Sequence, residues 1–210
     1  NIRKEAWTNS KTSVTYKQTS KMLTELKCEP DYVWLKAVDS TSLQQALKDL
    51  DKGFKNFFAK KAGYPRYKSK HNHCLSYRSQ CVNNNIAITN GKLKLPKIGL
   101  VKIKLSRNFT GRILNVTVSR KATGKYFVSL CVEEEVEIFP NNGGEIGIDV
   151  GIKDFYSDSN GDVAANPKTL KKYSKKLARE QRKLSRKAKG SNNRNKQRTI
   201  VARVHEKIAN

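Results

Sequence analysis

The stretch EIGIDVGIKDFYSDSNGDV, residues 145–163, decides how this chain is read. Ile146, Ile148 and Val150 alternate with Gly147, Asp149 and Gly151, which is the two-residue period of a β-strand. The segment reads as a buried strand with one carboxylate, Asp149, on the face opposite its isoleucines. Gly147 and Gly151 flank Asp149 on that face and have no side chains, so a phosphate and a divalent cation have room to approach. Two-metal phosphodiester cleavage needs such a pocket, with further carboxylates brought in by other strands. Magnesium prefers the oxygen ligands that Asp supplies. A purely structural reading, an aspartate at a turn after a strand, stands beside this one. Phe155 to Ser157 then leads into Asn160-Gly161, a turn signal that makes the next segment a hairpin.

Downstream, Leu170, Leu177 and Leu184 recur every seventh residue, with Tyr173, Ala178 and Ala188 filling the same stripe. Asn166 is placed to cap this helix and Pro167 to occupy its first position. After a loop at 190–193, Ile200, Val201, Val204 and Ile208 mark a second amphipathic helix. The pair predicts a helical hairpin whose apolar seam is structural.

Upstream, the linker Pro140 to Gly144 marks a boundary. From Asn85 to Val132 the pattern is β. Asn90-Gly91 separates Ile86-Ala87-Ile88 from Leu93-Lys94-Leu95 as a two-residue hairpin turn. Val101, Ile103 and Leu105 alternate with Lys102 and Lys104, and strands follow at Ile113 to Val118 and Tyr126 to Val132. Five or so short antiparallel strands with one apolar face favour a small barrel with lysines outside.

Residues 63–78 read as a loop, because Gly63 and Pro65 interrupt regular structure. Tyr64, Tyr67 and Tyr77 interleave there with Arg66, Lys68, Lys70 and Arg78. That mixture suits stacking on bases with phosphate contacts alongside; the tyrosines equally suit packing on the barrel. The first sixty residues read as helical. Thr41 and Gln44 have capping-box spacing, and Leu43, Leu47, Leu50, Phe54, Phe57 and Phe58 share one face. Lys48, Lys52 and Lys55 sit on its flanks, and an earlier helix through Met22, Leu23 and Leu26 ends before Pro30. The expected class is α+β, with a helical part over 1–62, a basic loop and barrel over 63–140, and an α/β part over 141–210.

Charge narrows the function. The chain carries 43 Lys and Arg against 18 Asp and Glu, a net of +25. Such self-repulsion does nothing for a folded domain, so a polyanionic partner is its natural explanation. Between Lys52 and Val132 there are 18 basic residues and no acid. Acids gather instead at Glu133 to Glu137 and from Asp149 to Asp162, and the tract after Asn166 is basic again. One-sign tracts read as phosphate-binding surfaces. Lys172, Lys176, Arg179, Arg182, Lys183 and Arg186 on the first helix of the hairpin join Lys48, Lys55, Lys102, Lys104 and the 63–78 residues as candidate nucleic-acid contacts.

Cys28, Cys74, Cys81 and Cys131 are scattered and form no disulfide framework. His71, His73, Cys74 and Cys81 include possible zinc ligands, but Cys-x₆-Cys is not a common ribbon spacing, and an ordinary loop is the expectation. No apolar run reaches the roughly 18 residues of a membrane span, and no signal peptide is legible. The expected compartment is the cytoplasm, with the nucleoid when DNA is bound.

Strands ending Asp-x-Gly also open nucleotide-binding kinases of the actin and Hsp70 type. Those follow the glycine with small hydroxyl residues, whereas Ile152-Lys153-Asp154-Phe155 follows here. The combination SLQQALKDLDKGFKNFF (42–58), GYPRYKSK (63–70), GIDVGIKDF (147–155) and the segment 171–210 ending HEKIAN resembles the TnpB, or OrfB-type, proteins of insertion sequences. These are relatives of the compact type V CRISPR effectors. The resemblance covers nearly the whole chain. It implies a helical recognition lobe, a wedge-like β-barrel and a RuvC-type nuclease domain of RNase H fold. It also implies RNA-guided, magnesium-dependent DNA cleavage, with guide RNA and target DNA as partners and no small-molecule substrate. Asp149 then matches the first catalytic, metal-binding carboxylate. The family's later glutamate, its last aspartate and its Cys-x-x-Cys zinc ribbon have no match, and Asp154, Asp158 and Asp162 lie too close in sequence to replace them. The expectation is therefore an N-terminal portion with an incomplete RuvC-type domain that binds nucleic acid without cutting it, zinc belonging to the part beyond. A catalytically inactive binding remnant or RNA-guided regulator remains the alternative.

Overall fold

The computed structural model describes residues 2–66, 75–137, 140 and 143–209. It divides into two units, Asn1–Lys121 with Tyr126–Glu135, and Ala122–Lys125 with Val136–Asn210. Among the described residues the fold is mixed, with helices and three small antiparallel sheets.

The first unit opens with helices α1 (Ile2–Ser10), α2 (Tyr16–Leu26) and α3 (Ser40–Phe58). A 3₁₀ helix, Pro30–Ala37, joins α2 to α3. A reciprocal capping box starts α2: Gln18 N–H donates to Thr15 Oγ1 at 3.4 Å and Thr15 N–H to Gln18 Oε1 at 2.7 Å. The cap of α3 is Asp39 rather than Thr41. Its carboxylate accepts from the N–H groups of Thr41 and Ser42 at 3.3 and 3.1 Å, the ordinary job of an N-cap acid. The same carboxylate accepts from Ser79 Oγ at 2.6 Å, so the cap also fixes α3 to the sheet. Burial pulls the Asp39 pKa upward, but hydrogen bonds from Ser79, Ser42 and Thr41 outweigh it and hold the carboxyl below its usual range.

Six strands follow: β1 (Leu75–Gln80), β2 (Ala87–Thr89), β3 (Lys92–Leu95), β4 (Gly99–Lys102), β5 (Arg112–Arg120) and β6 (Tyr126–Glu133). They do not close into the expected barrel. They form two three-stranded sheets, ordered β1-β5-β6 and β2-β3-β4. Closure would require every strand to pair on both edges. Here β3 and β5 each pair twice and their neighbours once, and β4 ends at Lys102, short of the alternation that runs on to Leu105. The two sheets share one core, in which Ile86, Leu93, Leu95 and Val116 are buried and Ile88, Ile103, Ile113 and Leu130 pack around them. The Asn90-Gly91 turn has φ of 50° and 68° and joins Thr89 directly to Lys92, as the two-residue hairpin requires.

The second unit contains β7 (Ile148–Asp149), β8 (Asp154–Asp158) and β9 (Val163–Ala165) in that order, then α4 (Thr169–Ser185) and α5 (Asn192–Ala209). β7 is not buried: Ile148 and Val150 are 61% and 72% exposed, and the main packing of that strand is against β8. Asn166 does not cap α4. Its side chain accepts from Lys168 N–H, and Lys168 takes the cap position in a left-handed conformation, so the helix starts at Thr169. Ala188 lies beyond the helix end. α4 and α5 pack as the predicted hairpin, with Val201 and Val204 buried in the seam.

Candidate nucleic-acid interface

Helix α4 sorts its charge by face. Its seam carries Tyr173, Leu177, Glu180 and Leu184, spaced three and four residues apart so that they share one side. Glu180, the acid of this helix, is 5% exposed. Gln197 of α5 donates to its carboxylate at 2.7 Å and to its backbone carbonyl at 3.2 Å, while Lys183 reaches it at 3.1 Å and Arg179 at 3.3 Å. The Gln197 hydrogen bond, then Lys183, holds the Glu180 carboxyl below its usual range. The rest of the helix is positive and open to water. Lys172, Lys176, Arg179, Arg182, Lys183 and Arg186 are all exposed, as are Lys171 and Lys175. The last two lie opposite the seam, and period counting around the leucines would have found them. Arg194 of α5 instead turns inward and donates to the carbonyls of Leu184 and Lys187 at 2.7 and 2.8 Å, satisfying the C-terminal end of α4.

In the first unit, a second basic face lies on the β2-β3-β4 sheet. Lys92 and Lys94 are exposed where Leu93 and Leu95 are buried, and Lys92 stands directly across from Lys102. Like charges in register repel. A polyanion relieves that repulsion, so Lys92 and Lys94 join Lys102 as candidates. Lys104 is exposed just past β4.

The remaining expected contacts are dispersed. Lys48 lies over the Tyr16 ring at 5.8 Å, and Lys55 pairs with Asp51 at 3.0 Å while staying 77% exposed. Tyr64 packs edge-on against Phe54 and Phe57 of α3, not against the sheets, with ring centroids 5.7 and 5.3 Å away, and stays 53% exposed. Arg66 is exposed. Tyr77 and Arg78 lie in β1 rather than a loop, because residues 75–80 pair with β5; Arg78 Nε donates to Thr117 Oγ1 at 3.4 Å. Tyr67, Lys68 and Lys70, with His71, His73 and Cys74, lie outside the described residues. Cys81 donates its thiol to the Ile86 carbonyl at 3.5 Å.

Asp149 is exposed on β7, across from Ser157 of β8. Gly147 binds Ser159 from both its backbone groups, N–H to Oγ at 3.1 Å and carbonyl to N–H at 2.9 Å. Asp158 is committed to the turn, accepting from the N–H groups of Asn160 and Asp162. Among the described residues no three His, Cys, Asp or Glu side chains come together as a metal site. Nor is any described helix long and apolar enough to cross a membrane.

Comparison with known proteins gives these surfaces a context. The family model OrfB_IS605, described as "Probable transposase", matches residues 129–210. Over 209 residues the chain is 40% identical to a protein of Streptomyces pristinaespiralis named "Putative RNA-guided DNA endonuclease", covering 98% of this chain and 52% of that one. Over 199 residues it is 38% identical to "Putative RNA-guided DNA endonuclease InsQ" of Escherichia coli (strain K12), covering 94% and 48%. The chain thus spans about half the length of the curated relatives it matches.

Proposed function

We propose that this chain, a sequence relative of the OrfB-type transposases, is the nucleic-acid-binding portion of a transposon-encoded RNA-guided DNA endonuclease. The observation that carries the reading is the charge sorting on α4, where Glu180 is turned into the seam and every Lys and Arg between residues 171 and 186 faces water. Guide RNA and target DNA are the polyanions this face and the Lys92–Lys102 face would hold, in keeping with the names of the relatives. Positioning on a phosphate backbone needs only such exposed cations along a rigid element.

The order β7-β8-β9 followed by a helical hairpin supports reading the second unit as the opening part of an RNase H-like, RuvC-type domain. Exposed Ile146, Ile148 and Val150 support it too, since apolar strand residues of this kind call for a covering layer. Magnesium is the ion this reading implies for cleavage by the whole protein, with Asp149 as one ligand. The described residues alone do not fit that ion, because one exposed carboxylate is far short of the oxygen set Mg²⁺ requires. No step of bond cleavage is therefore assigned to them. The direct test is binding of the chain to structured RNA as salt is raised: affinity falling steeply with salt supports the reading, and affinity indifferent to salt overturns it.

A further inference from the structure

The first unit holds a cleft of about 540 Å³ between the turn Val82–Asn85 and strand β5, within the roughly 300–1,000 Å³ usual for small-ligand sites. We infer that this cleft receives a single unstacked nucleobase, recognised by side-chain amides. The inference rests on the proposed nucleic-acid role and deepens it by assigning a base contact where the basic faces give only phosphate contacts.

The lining is the first argument. Gln80, Asn83, Asn84 and Asn115 bring amides to it, and Cys81, Ile113 and Leu114 supply apolar surface. An amide presents a donor and an acceptor side by side, the pattern of a base edge, and an apolar wall suits the face of the ring. Gln80 donates to Gln45 at 3.1 Å and so is held in place. The side-chain amides of Asn83, Asn84 and Asn115 make no hydrogen bond among the described residues. Charge is the second argument. Arg112 is the cation of the lining, and Glu133 neutralises it at 2.9 Å. A cleft with a compensated cation and several neutral amides is suited to a base rather than to a phosphate.

The backbone is the third. Asn83 and Asn84 both take left-handed φ, 51° and 54°. Their turn is closed twice, by Asn85 N–H to the Val82 carbonyl at 3.1 Å and by Val82 N–H to Asn85 Oδ1 at 2.9 Å. Opposite, the pairing of β5 with β6 slips between Ile113 and Asn115, while Cys81 N–H donates to the Leu114 carbonyl at 2.8 Å. Bulges of this kind re-aim side chains beside binding sites.

The test uses the ¹⁵N-labelled chain and four uncharged probes: adenosine, cytidine, guanosine and uridine. At least one nucleoside should shift the side-chain amide signals of Asn83, Asn84 and Asn115 saturably. The variant Asn83→Gly/Asn84→Gly keeps the turn, because glycine accepts positive φ. With Asn115→Ser added, it should lose those responses and bind an unstructured single-stranded RNA about tenfold more weakly. Its salt dependence should stay as in the parent, since no phosphate contact is removed. Nucleoside responses at the amides without any RNA binding by the parent chain would refute the proposed function and leave the base site standing. RNA binding by the parent with no nucleoside response, and undiminished in the variant, would overturn the base site alone.

Discussion

Gln197 on α5 donates one amide group to both the carboxylate and the backbone carbonyl of Glu180 on α4, at 2.7 and 3.2 Å. The two residues form a polar layer inside a seam otherwise lined by Tyr173, Leu177, Leu184, Val201 and Val204. An apolar seam can slide by a turn; a layer with one matching partner cannot without stranding a buried acceptor. Gln197→Ala should therefore lower the thermal midpoint by several degrees, followed by circular dichroism. Gln197→Glu should be worse, because it sets a second carboxylate against the first.

Asp39 ties local to tertiary structure, since one carboxylate caps α3 and accepts from fully buried Ser79. Asp39→Ala should cost about 1–3 kcal/mol, an N-cap plus a buried hydroxyl left short of an acceptor. Asp39→Asn should recover part of the loss, because the amide oxygen can still cap. The pH dependence has a definite sign. The folded carboxyl titrates below its ordinary 3.8, so its contribution is fully present above that pH and is lost as pH falls through the lower folded value. Urea unfolding at a series of acid pH values should show a steeper loss for the parent than for Asp39→Ala.

Tyr64 separates packing from stacking on nucleic acid. Its ring meets Phe54 and Phe57 edge-on, and such pairs contribute about 0.5–1.5 kcal/mol beyond the area they bury. Tyr64→Ala should lower stability by about 0.5–1.5 kcal/mol, and RNA affinity measured well below the melting point should hardly change. A folded variant that binds much more weakly would return Tyr64 to the interface.

Much of this architecture was legible because its signals are local. The Asn90-Gly91 hairpin follows from two residues that accept positive φ, and the α4–α5 hairpin from leucines and valines in helical period. Asp39 was missed because its strongest partner, Ser79, lies forty residues away, and Thr41 satisfied the local pattern. Strand β1 was missed because its buried position is the polar Ser79, while the alternating Leu75 and Tyr77 stay exposed and follow close on the Gly63 and Pro65 loop signal. The barrel was over-read: alternation gives each strand an inner face but says nothing of how many neighbours it pairs with. At Asp149 the sequence offered one carboxylate and its glycines, and among the described residues no three His, Cys, Asp or Glu side chains gather as a metal site.

The exposed face of α4 should respond as a surface of phosphate contacts. Lys171→Ala, Lys175→Ala and Lys176→Ala together keep helix propensity and change only exposed side chains of α4. Each lost contact should flatten the log–log salt dependence of RNA binding by roughly 0.7–0.9, so the triple variant should be shallower by about 2–3. Fluorescence anisotropy at several salt concentrations measures this directly. Weaker binding with an unchanged slope would mean that these lysines do not touch phosphates.

Asp149 carries the sharpest expectation. It is exposed on β7 and no described side chain shares a metal site with it, so Asp149→Ala should change stability by no more than about 0.5 kcal/mol. Residues 1–210 alone should bind RNA and DNA yet cut neither in the presence of magnesium, because one carboxylate leaves the ion mostly hydrated and unplaced. In a protein that also carries the half found in the longer relatives, the reading assigns Asp149 to a complete carboxylate set. There Asp149→Ala should abolish cleavage and leave guide and target binding within about twofold, since it removes charge organisation rather than contact surface. Asp149→Asn should fail as well, the amide keeping the shape but not the charge. Two results would contradict this: magnesium-dependent cutting by the 210-residue chain, or a long form that cuts at its normal rate as Asp149→Ala. A long form that never cuts, with Asp149 intact, would favour a protein that binds its target under RNA guidance and leaves it whole.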